Sequence, residues 1–303
     1  MRSHITPGAL FPAHFERNPT AQLFHVSPGT DAVQDAIDAC VDDNGDVVVV
    51  GPGTHTVTET VALNKRGVTL VAAHTGYQPG AQGERFTIRA DAGFTDGPVA
   101  TISRPTSILG LGFWGREAAG ASVAMVFGSG GFDSGGWSLL RHCWFPNHGE
   151  IARGLDLASV DRVRVEGCVF DGSNNGALSA GGKRLTAAIR MTQGHNVEVV
   201  GNEFVNALTA IDLALIAPKS DPVHGNVGTT IAGNRMLAVP ATHFFLDVED
   251  DANVRPQTVL VADNFLGVAL ASEAYKLGGA AQADLAALVT AGLQFAGNRY
   301  LDA

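Results

Sequence analysis

The chain has 303 residues, 37 of them glycine, and a formal net charge of −10 at neutral pH. Hydrophobic residues make up 45% and charged residues 17%, which excludes an intrinsically disordered chain. The sequence lacks the Gly-X-Y period of collagen. It also lacks a run of about 18 uninterrupted apolar residues, which a membrane-spanning helix would need. The acidic balance disfavours nucleic acid and anionic membrane surfaces as partners, since both attract basic proteins.

We expect residues 1–26 to form an N-terminal arm, because prolines and phenylalanines alternate there without the period of a helix or strand. The first residues contain no apolar segment typical of a secretory signal peptide. The cysteines, Cys40, Cys143 and Cys168, are odd in number and scattered. They therefore predict neither a disulfide framework nor a thiolate zinc site, and we expect synthesis in a reducing cytoplasm.

A helix is predicted within residues 27–45, where apolar residues from Ala32 to Val41 have helical spacing. Thr30 or Asp31 is the expected N-cap. Asn44 and Gly45 end the helix, and the apolar run that follows predicts a buried strand. Residues 46–303 are the predicted body.

A short phrase of eight residues recurs along the body. Apolar residues occupy its first and third positions, Gly or Asp the fifth, Asn or Cys the sixth and an aromatic residue the eighth, and the remaining positions vary. The clear copies begin at Val163, Val197, Thr229, Val259 and Leu293. Including degenerate earlier copies, the Asn, Cys or Leu position falls at residues 111, 143, 168, 202, 234, 264 and 298. A period in this range predicts stacked units that cannot bury their apolar faces alone.

Apolar and polar residues alternate within each copy, which indicates a strand with one buried face. Val163 and Val165 should point inward, and Arg164 outward. Gly and Asn tolerate the left-handed backbone of a sharp corner, and asparagines repeated at one corner can pair in a ladder.

Cys143 and Cys168 occupy the same corner as the later asparagines. We therefore predict that both are small, buried members of the ladder.

These patterns predict an all-β fold, a parallel β-helix with an N-terminal capping helix. Residues 46–303 resemble the right-handed pectate-lyase-like superfamily. The segment Asn44–Thr54, which follows the predicted helix, is similar to the first strand segment of many such solenoids. The resemblance implies that the helix plugs the open end of the core. Near the other end, the Ala/Leu-rich residues 280–290 predict a short helical insertion.

An acidic run, Asp247, Glu249, Asp250 and Asp251, is the best candidate for Ca²⁺ binding or for acid–base chemistry. The favoured alternative is a solvated loop between coils. Hydrolases of the resembled superfamily carry Gly-His-Gly and Arg-Ile-Lys, whereas this chain has Gly194-His195-Asn196 and Ile189-Arg190-Met191. We therefore assign no catalytic residue, no cofactor and no metal ligand.

The basic, histidine and tryptophan candidates can each be explained by a structural role instead of a functional one. A lyase would need a basic residue beside carboxylates, and a solvated strand face is the favoured alternative for each basic candidate. The basic candidates are Arg153, Arg162, Arg164, Lys183, Arg184 and Arg190. We expect His142 and His148 to lie on the surface or to have their hydrogen bonds satisfied within the protein, and not to bind a metal ion. Trp114 and Trp144 flank inward aromatics, and they either stack on a sugar ring or cover the core.

The favoured function is that of a non-enzymatic virion protein. The opening of the chain is similar to that of bacteriophage capsid-associated β-helix proteins. This resemblance implies a capsid decoration protein bound to the major capsid protein. We expect a homotrimer, because oligomers of closed symmetry suit an icosahedral lattice, and an additional role in binding host-surface glycans. The alternative is a tailspike-like lyase or hydrolase that acts on acidic glycans.

Overall fold

Alternating apolar and polar residues form three long sheets, which we term A, B and C. The computed structural model describes the chain in several ranges. These are residues 20–73, 86–91, 93–94, 97–115, 121–128, 137–146, 153–158, 160–172, 186–192, 194–205, 207–213, 227–237, 244–248, 257–267, 274–277, 280–281, 286, 289 and 293–300.

The strands of the three sheets have the following bounds. Sheet A contains Leu23–Val26, Val47–Val50, Thr69–Ala72, Ser107–Leu109, Ser138–Arg141, Val160–Asp161, Val163–Glu166, Gly194–His195, Glu198–Val200, Val227–Ala232, Gln257–Ala262 and Leu293–Ala296. Sheet B contains Gly53–Val57, Phe86–Ala90, Gly112–Trp114, Trp144–Pro146, Val169–Asp171, Glu203–Val205, Arg235–Leu237, Phe265–Leu266 and Arg299–Tyr300. Sheet C contains Val61–Leu63, Gly97–Ile102, Ala121–Phe127, Arg153–Leu157, Ala187–Met191, Thr209–Leu213, Phe244–Val248, Tyr275–Leu277 and Ala280–Ala281.

The chain visits the three sheets in turn and then begins the next coil. One coil, for example, runs through Glu198–Val200, Glu203–Val205 and Thr209–Leu213. Each of these strands pairs in parallel with its counterpart on the following coil. The predicted parallel β-helix is therefore confirmed.

The inner faces of the sheets meet in one apolar core. Val163 and Val165 are fully buried, whereas Arg164 lies on the outer face, as the alternation predicts. Four phenylalanines stack through the coils, with ring centroids 6.0, 4.7 and 5.3 Å apart. These are Phe113, Phe145, Phe170 and Phe204. Truncating any one of them to alanine would leave a cavity costing about 3–5 kcal/mol.

The predicted asparagine ladder joins the corners between sheets A and B. Oδ1 of Asn234 accepts hydrogen bonds from the backbone N–H of Asn202 at 2.9 Å and from its Nδ2 at 3.0 Å. Asn264 bonds Asn234 in the same way, and Asn298 bonds Asn264. Asn202, Asn234 and Asn264 are almost completely buried, so these bonds satisfy backbone groups that water does not reach.

The left-handed backbone lies one residue before the ladder position. This preceding residue has a φ of 54° to 73° in all seven coils that carry the ladder position. The seven residues are Gly110, His142, Gly167, Gly201, Gly233, Asp263 and Gly297. Glycine dominates because this conformation brings a Cβ atom close to the following carbonyl oxygen.

The two cysteines of the column are buried and free, as predicted. Sγ of Cys168 lies 3.7 Å from the carbonyl oxygen of Leu140 on the previous coil. Nδ2 of Asn202 donates to Val165 O, the position in register with Leu140. The thiol of Cys168 thus lies beside the same kind of carbonyl oxygen that the side-chain amide of Asn202 bonds one coil later.

The predicted capping helix spans Ala32–Ala39, and Val33 and Ile37 are buried against the first coils. Asp31 occupies the N-cap position, but its side chain makes no capping hydrogen bond. Its carboxylate instead accepts hydrogen bonds from Thr58 N and Thr58 Oγ1, at 2.9 and 2.7 Å.

Two predicted segments need correction. The end of the predicted arm, Leu23–Val26, is the first strand of sheet A, because its backbone pairs with Val47–Val50. Residues 1–19 lie outside the described residues. The start of the predicted insertion, Ala280–Ala281, is a strand antiparallel to Tyr275–Leu277, since strand pairing overrides a weak helix propensity. Ala286 and Val289 are helical, and the other residues of 282–290 are not described.

Candidate functional site

The outer face of sheet C carries a row of charged side chains at one register position. Strand pairing aligns five residues on successive coils. They are Asp156, Arg190, Asp212, Asp247 and Lys276, which we term the charged row. The first four are each flanked in sequence by two fully buried apolar residues, so the alternation of the strand turns the charged side chain outward.

Cations compensate the carboxylates of the row. Nζ of Lys276 donates to Asp247 Oδ2 at 2.6 Å, and Arg190 Nε lies 3.7 Å from Asp212 Oδ2. Nη1 of Arg153, on the same strand as Asp156, donates to Asp156 Oδ2 at 2.6 Å. These side chains are between 12% and 34% exposed, so each attraction is stronger than between fully exposed ions.

Asp156 has one oxygen that these pairs leave unused. The residue is 9% exposed, and its Oδ1 has no hydrogen-bond partner among the residues that the structure describes. A buried acceptor without a donor costs about 1–3 kcal/mol. This oxygen therefore lacks a compensating donor within the part of the chain that the structure describes.

The structure brings together three of the sequence-derived candidates: Arg153, Arg190 and Asp247. The rest of the acidic run, Glu249, Asp250 and Asp251, lies outside the described residues, as do Lys183, Arg184 and His148. Asp156, Asp212 and Lys276 were not predicted from the sequence. Their signal, a charged residue beside buried apolar residues on a strand, becomes informative only when the register across coils is known.

Two other basic candidates lie away from the row. Arg164, on sheet A, donates to Glu166 at 2.9 Å and to Glu198 at 2.5 Å. Burial lowers the pKa of Arg164, but the hydrogen bonds and charges of both glutamates outweigh it and raise this pKa above its ordinary value. Arg162 lies at the corner before this strand, with its Nε 3.6 Å from Asp161 Oδ2. Arg164 therefore belongs to an ion-paired strand surface, whereas Arg162 lies in a left-handed corner next to its acidic partner.

The tryptophans lie on a different surface. Trp114 and Trp144 are half-buried on the outer face of sheet B, next to the inward Phe113 and Phe145. Trp137 is 55% exposed and lies directly before a strand of sheet A.

The comparisons with known proteins do not assign a function to the charged row. No protein-family model and no curated protein matches the chain. Among solved structures, the chain is similar to ORF18 of Geobacillus virus E2, with 13% sequence identity and a TM-score of 0.38. The match covers 91% of this chain and 60% of that protein, so the chain spans less than two thirds of its length.

Within the described ranges, no group of three or more His, Cys, Asp or Glu residues is arranged to hold a metal ion. No helix among them is long and apolar enough to cross a membrane. The charged row places Asp212 and Asp247 on adjacent strands, whose backbones are separated by about 4.8 Å.

Proposed function

We propose that this protein is a non-enzymatic structural component of a bacteriophage virion, a decoration protein that binds the outer surface of the capsid. One observation carries the proposal: each carboxylate of the charged row has a cation within 4 Å on its own or the next strand. Ion pairs that connect neighbouring coils reinforce a solenoid. The continuous ladder and phenylalanine stack likewise suit a rigid surface protein.

We further propose that the solenoid is a right-handed member of the pectate-lyase-like superfamily. The capping helix, the three parallel sheets and the corner ladder support this assignment. A homotrimer is the proposed oligomer, since closed symmetry suits a repeating lattice. The segment before Leu23 is the proposed attachment arm, and the major capsid protein is the proposed partner.

The copy number in purified particles tests the capsid role. Quantitative mass spectrometry against the major capsid protein should give hundreds of copies per virion. A variant that lacks residues 1–19 should fold but fail to associate with particles. Tens of copies would identify a spike instead, and absence from the particle would contradict the proposal.

A depolymerase is the second candidate, and the placement of Asp212 and Asp247 in register on adjacent strands is the observation that favours it. The strand backbones that carry these two carboxyl groups are about 4.8 Å apart, which is close to the separation of about 5–5.5 Å between the carboxyl groups of retaining glycosidases. Turnover of pectate, alginate or capsular glycan, followed at 235 nm for lyase products and by reducing ends for hydrolysis, tests this candidate. Activity that Asp212→Asn and Asp247→Asn abolish, and that the control Asp161→Asn retains, would replace the structural proposal.

A further inference from the structure

Cys143 and Cys168 are neighbours on consecutive coils. Each is followed directly by a strand of sheet B, and Trp144 of the first strand is in register with Val169 of the second. The backbone N–H of Val169 donates to the carbonyl oxygen of Cys143 at 2.9 Å. Neighbouring strands lie about 4.8 Å apart, which is within the Cα separation of about 4.4–6.8 Å found in disulfides. A bond between the two sulfurs therefore needs rotation of the side chains and no large backbone movement.

The two coils approach each other closely on both sides of these cysteines. A methyl group built on Gly167 would lie 2.9 Å from Nδ1 of His142 on the previous coil, so glycine allows this approach. Two residues after the cysteines, the rings of Phe145 and Phe170 have centroids 4.7 Å apart, the shortest spacing in the phenylalanine stack. The packing on either side thus keeps the two thiols side by side.

The two thiols are in contact inside the core. Both cysteines are completely buried, and Sγ of Cys168 lies 3.7 Å from the carbonyl oxygen of Leu140, on the coil that carries Cys143. Burial, and after it a hydrogen bond with the Cys143 thiol, raises the pKa of the Cys168 thiol. The thiolate is therefore scarce, and the pair reacts only when the coils open locally.

The series of amide bonds along the ladder ends at this pair. Oδ1 of Asn202 accepts a hydrogen bond from the backbone N–H of Cys168 at 2.9 Å. Cys168 has no amide oxygen to offer the previous coil in the same way, and a thiol is only a weak acceptor. A covalent bond to Cys143 would take the place of the missing amide rung.

We propose that Cys143 and Cys168 form a redox-dependent disulfide, which joins their two coils covalently in an oxidising environment. In a reducing cytoplasm both remain thiols. The bridge lies in the interior of the solenoid, so its formation does not depend on the proposed place in a virion.

The step is a thiol–disulfide exchange with a small disulfide such as oxidised glutathione. The sulfur–sulfur bond of glutathione breaks, and the bond between the two cysteine sulfurs forms through a mixed disulfide. The two thiol hydrogens end on two molecules of reduced glutathione. The cysteine sulfurs are thereby oxidised by two electrons, and glutathione is reduced by two.

Equilibration of the purified full chain in a glutathione buffer tests the proposal. The buffer contains oxidised and reduced glutathione and urea below the unfolding midpoint, so that local openings admit the reagent. After acid quenching and unfolding, the remaining thiols are alkylated and the intact mass is measured. We expect one alkyl group per chain, at Cys40, and an upward shift of the urea midpoint that dithiothreitol reverses.

A peptide map and three variants locate the bridge. Trypsin places the two cysteines in separate peptides, residues 142–153 and 165–183, which should be linked when no reductant is present. Cys40→Ala is the matched control and should still form the bridge. Cys143→Ala and Cys168→Ala should each keep two free thiols, and circular dichroism checks that all three variants are folded.

Three results would overturn the proposal. The first is that the wild type keeps three free thiols or carries glutathione on single cysteines. The second is that the linked peptides contain Cys40. The third is that the linked fraction is no greater in the folded protein than in the same buffer with unfolding urea, because proximity along the chain would then account for the pairing.

Discussion

At the scale of single residues, Asn234 lies in the middle of the ladder, and its truncation removes hydrogen bonds to the rungs on both sides. Asn234→Ala removes the acceptor for both Asn202 donors and the Nδ2 donor to Val199 O, which lies at 2.9 Å. The buried groups left unpaired should lower the free energy of unfolding by about 3–5 kcal/mol. Urea unfolding followed by circular dichroism measures this change.

The matched control is Asn298→Ala at the last described rung. Asn298 is only partly buried, so its truncation opens the Asn264 donors to water, which can replace the lost acceptor, and the cost should be about 1 kcal/mol. Equal losses at both positions would show that the ladder is not the buried column described above.

Cys40 makes stability depend on alkaline pH. Burial, assisted by the negative charge of Asp46, raises the pKa of the Cys40 thiol to about 11. The folded state therefore keeps a proton that the unfolded state loses above pH 9. Stability should fall as the pH rises from about 9 to 11, by up to about 1.4 kcal/mol per unit from this group.

Urea midpoints at pH 8 and at pH 10.5 measure the effect. Cys40→Ala should show a smaller drop between the two pH values than the wild type. An unchanged drop would mean that other groups, such as the buried Cys168 thiol, whose pKa is also raised by burial, account for the dependence.

The inward valines and the asparagine corners could be predicted from the sequence, because their period is short and local. Asp156 and Asp212 could not, because their meaning comes from neighbours on other coils. The distance between ladder positions varies from 25 to 34 residues, so spacing alone does not align the rows of sheet C.

At the scale of elements, Asp46 connects the first strand, the capping helix and the first full coil. Its fully buried carboxylate accepts hydrogen bonds from Gln22 N, Val41 N and Asn44 Nδ2, at 2.6 to 2.8 Å. Asp46→Ala should lower the free energy of unfolding by about 2–4 kcal/mol, since three donors lose a charged acceptor.

Limited proteolysis adds a readout specific to this element, since Asp46→Ala should be cleaved near residues 20–26 faster than the wild type. The control Asp38→Ala, which removes an exposed carboxylate bonded to Gln34 on the same helix, should leave both measurements nearly unchanged. Wild-type behaviour of Asp46→Ala would contradict this anchoring role.

The helix Ala32–Ala39 could be predicted because its apolar spacing is visible within one turn after another. The strand Leu23–Val26 could not, because its partner Val47–Val50 lies 24 residues later and supplies the pairing. The same reason explains Ala280–Ala281, where pairing rather than composition determines the structure.

At the scale of the whole molecule, the recurring phrase predicted the solenoid, because identical corners stack only if the coils do. The sequence contained the charges of sheet C, but not their alignment on one face. The charged row therefore appeared only once the register of the strands was known.

A crystal structure that resolves side-chain amides tests the central claim most directly. The account predicts one column of Asn202, Asn234, Asn264 and Asn298, with each Oδ1 about 3 Å from the backbone nitrogen of the preceding rung. Asparagines separated by more than one coil spacing, or directed to solvent, would contradict it.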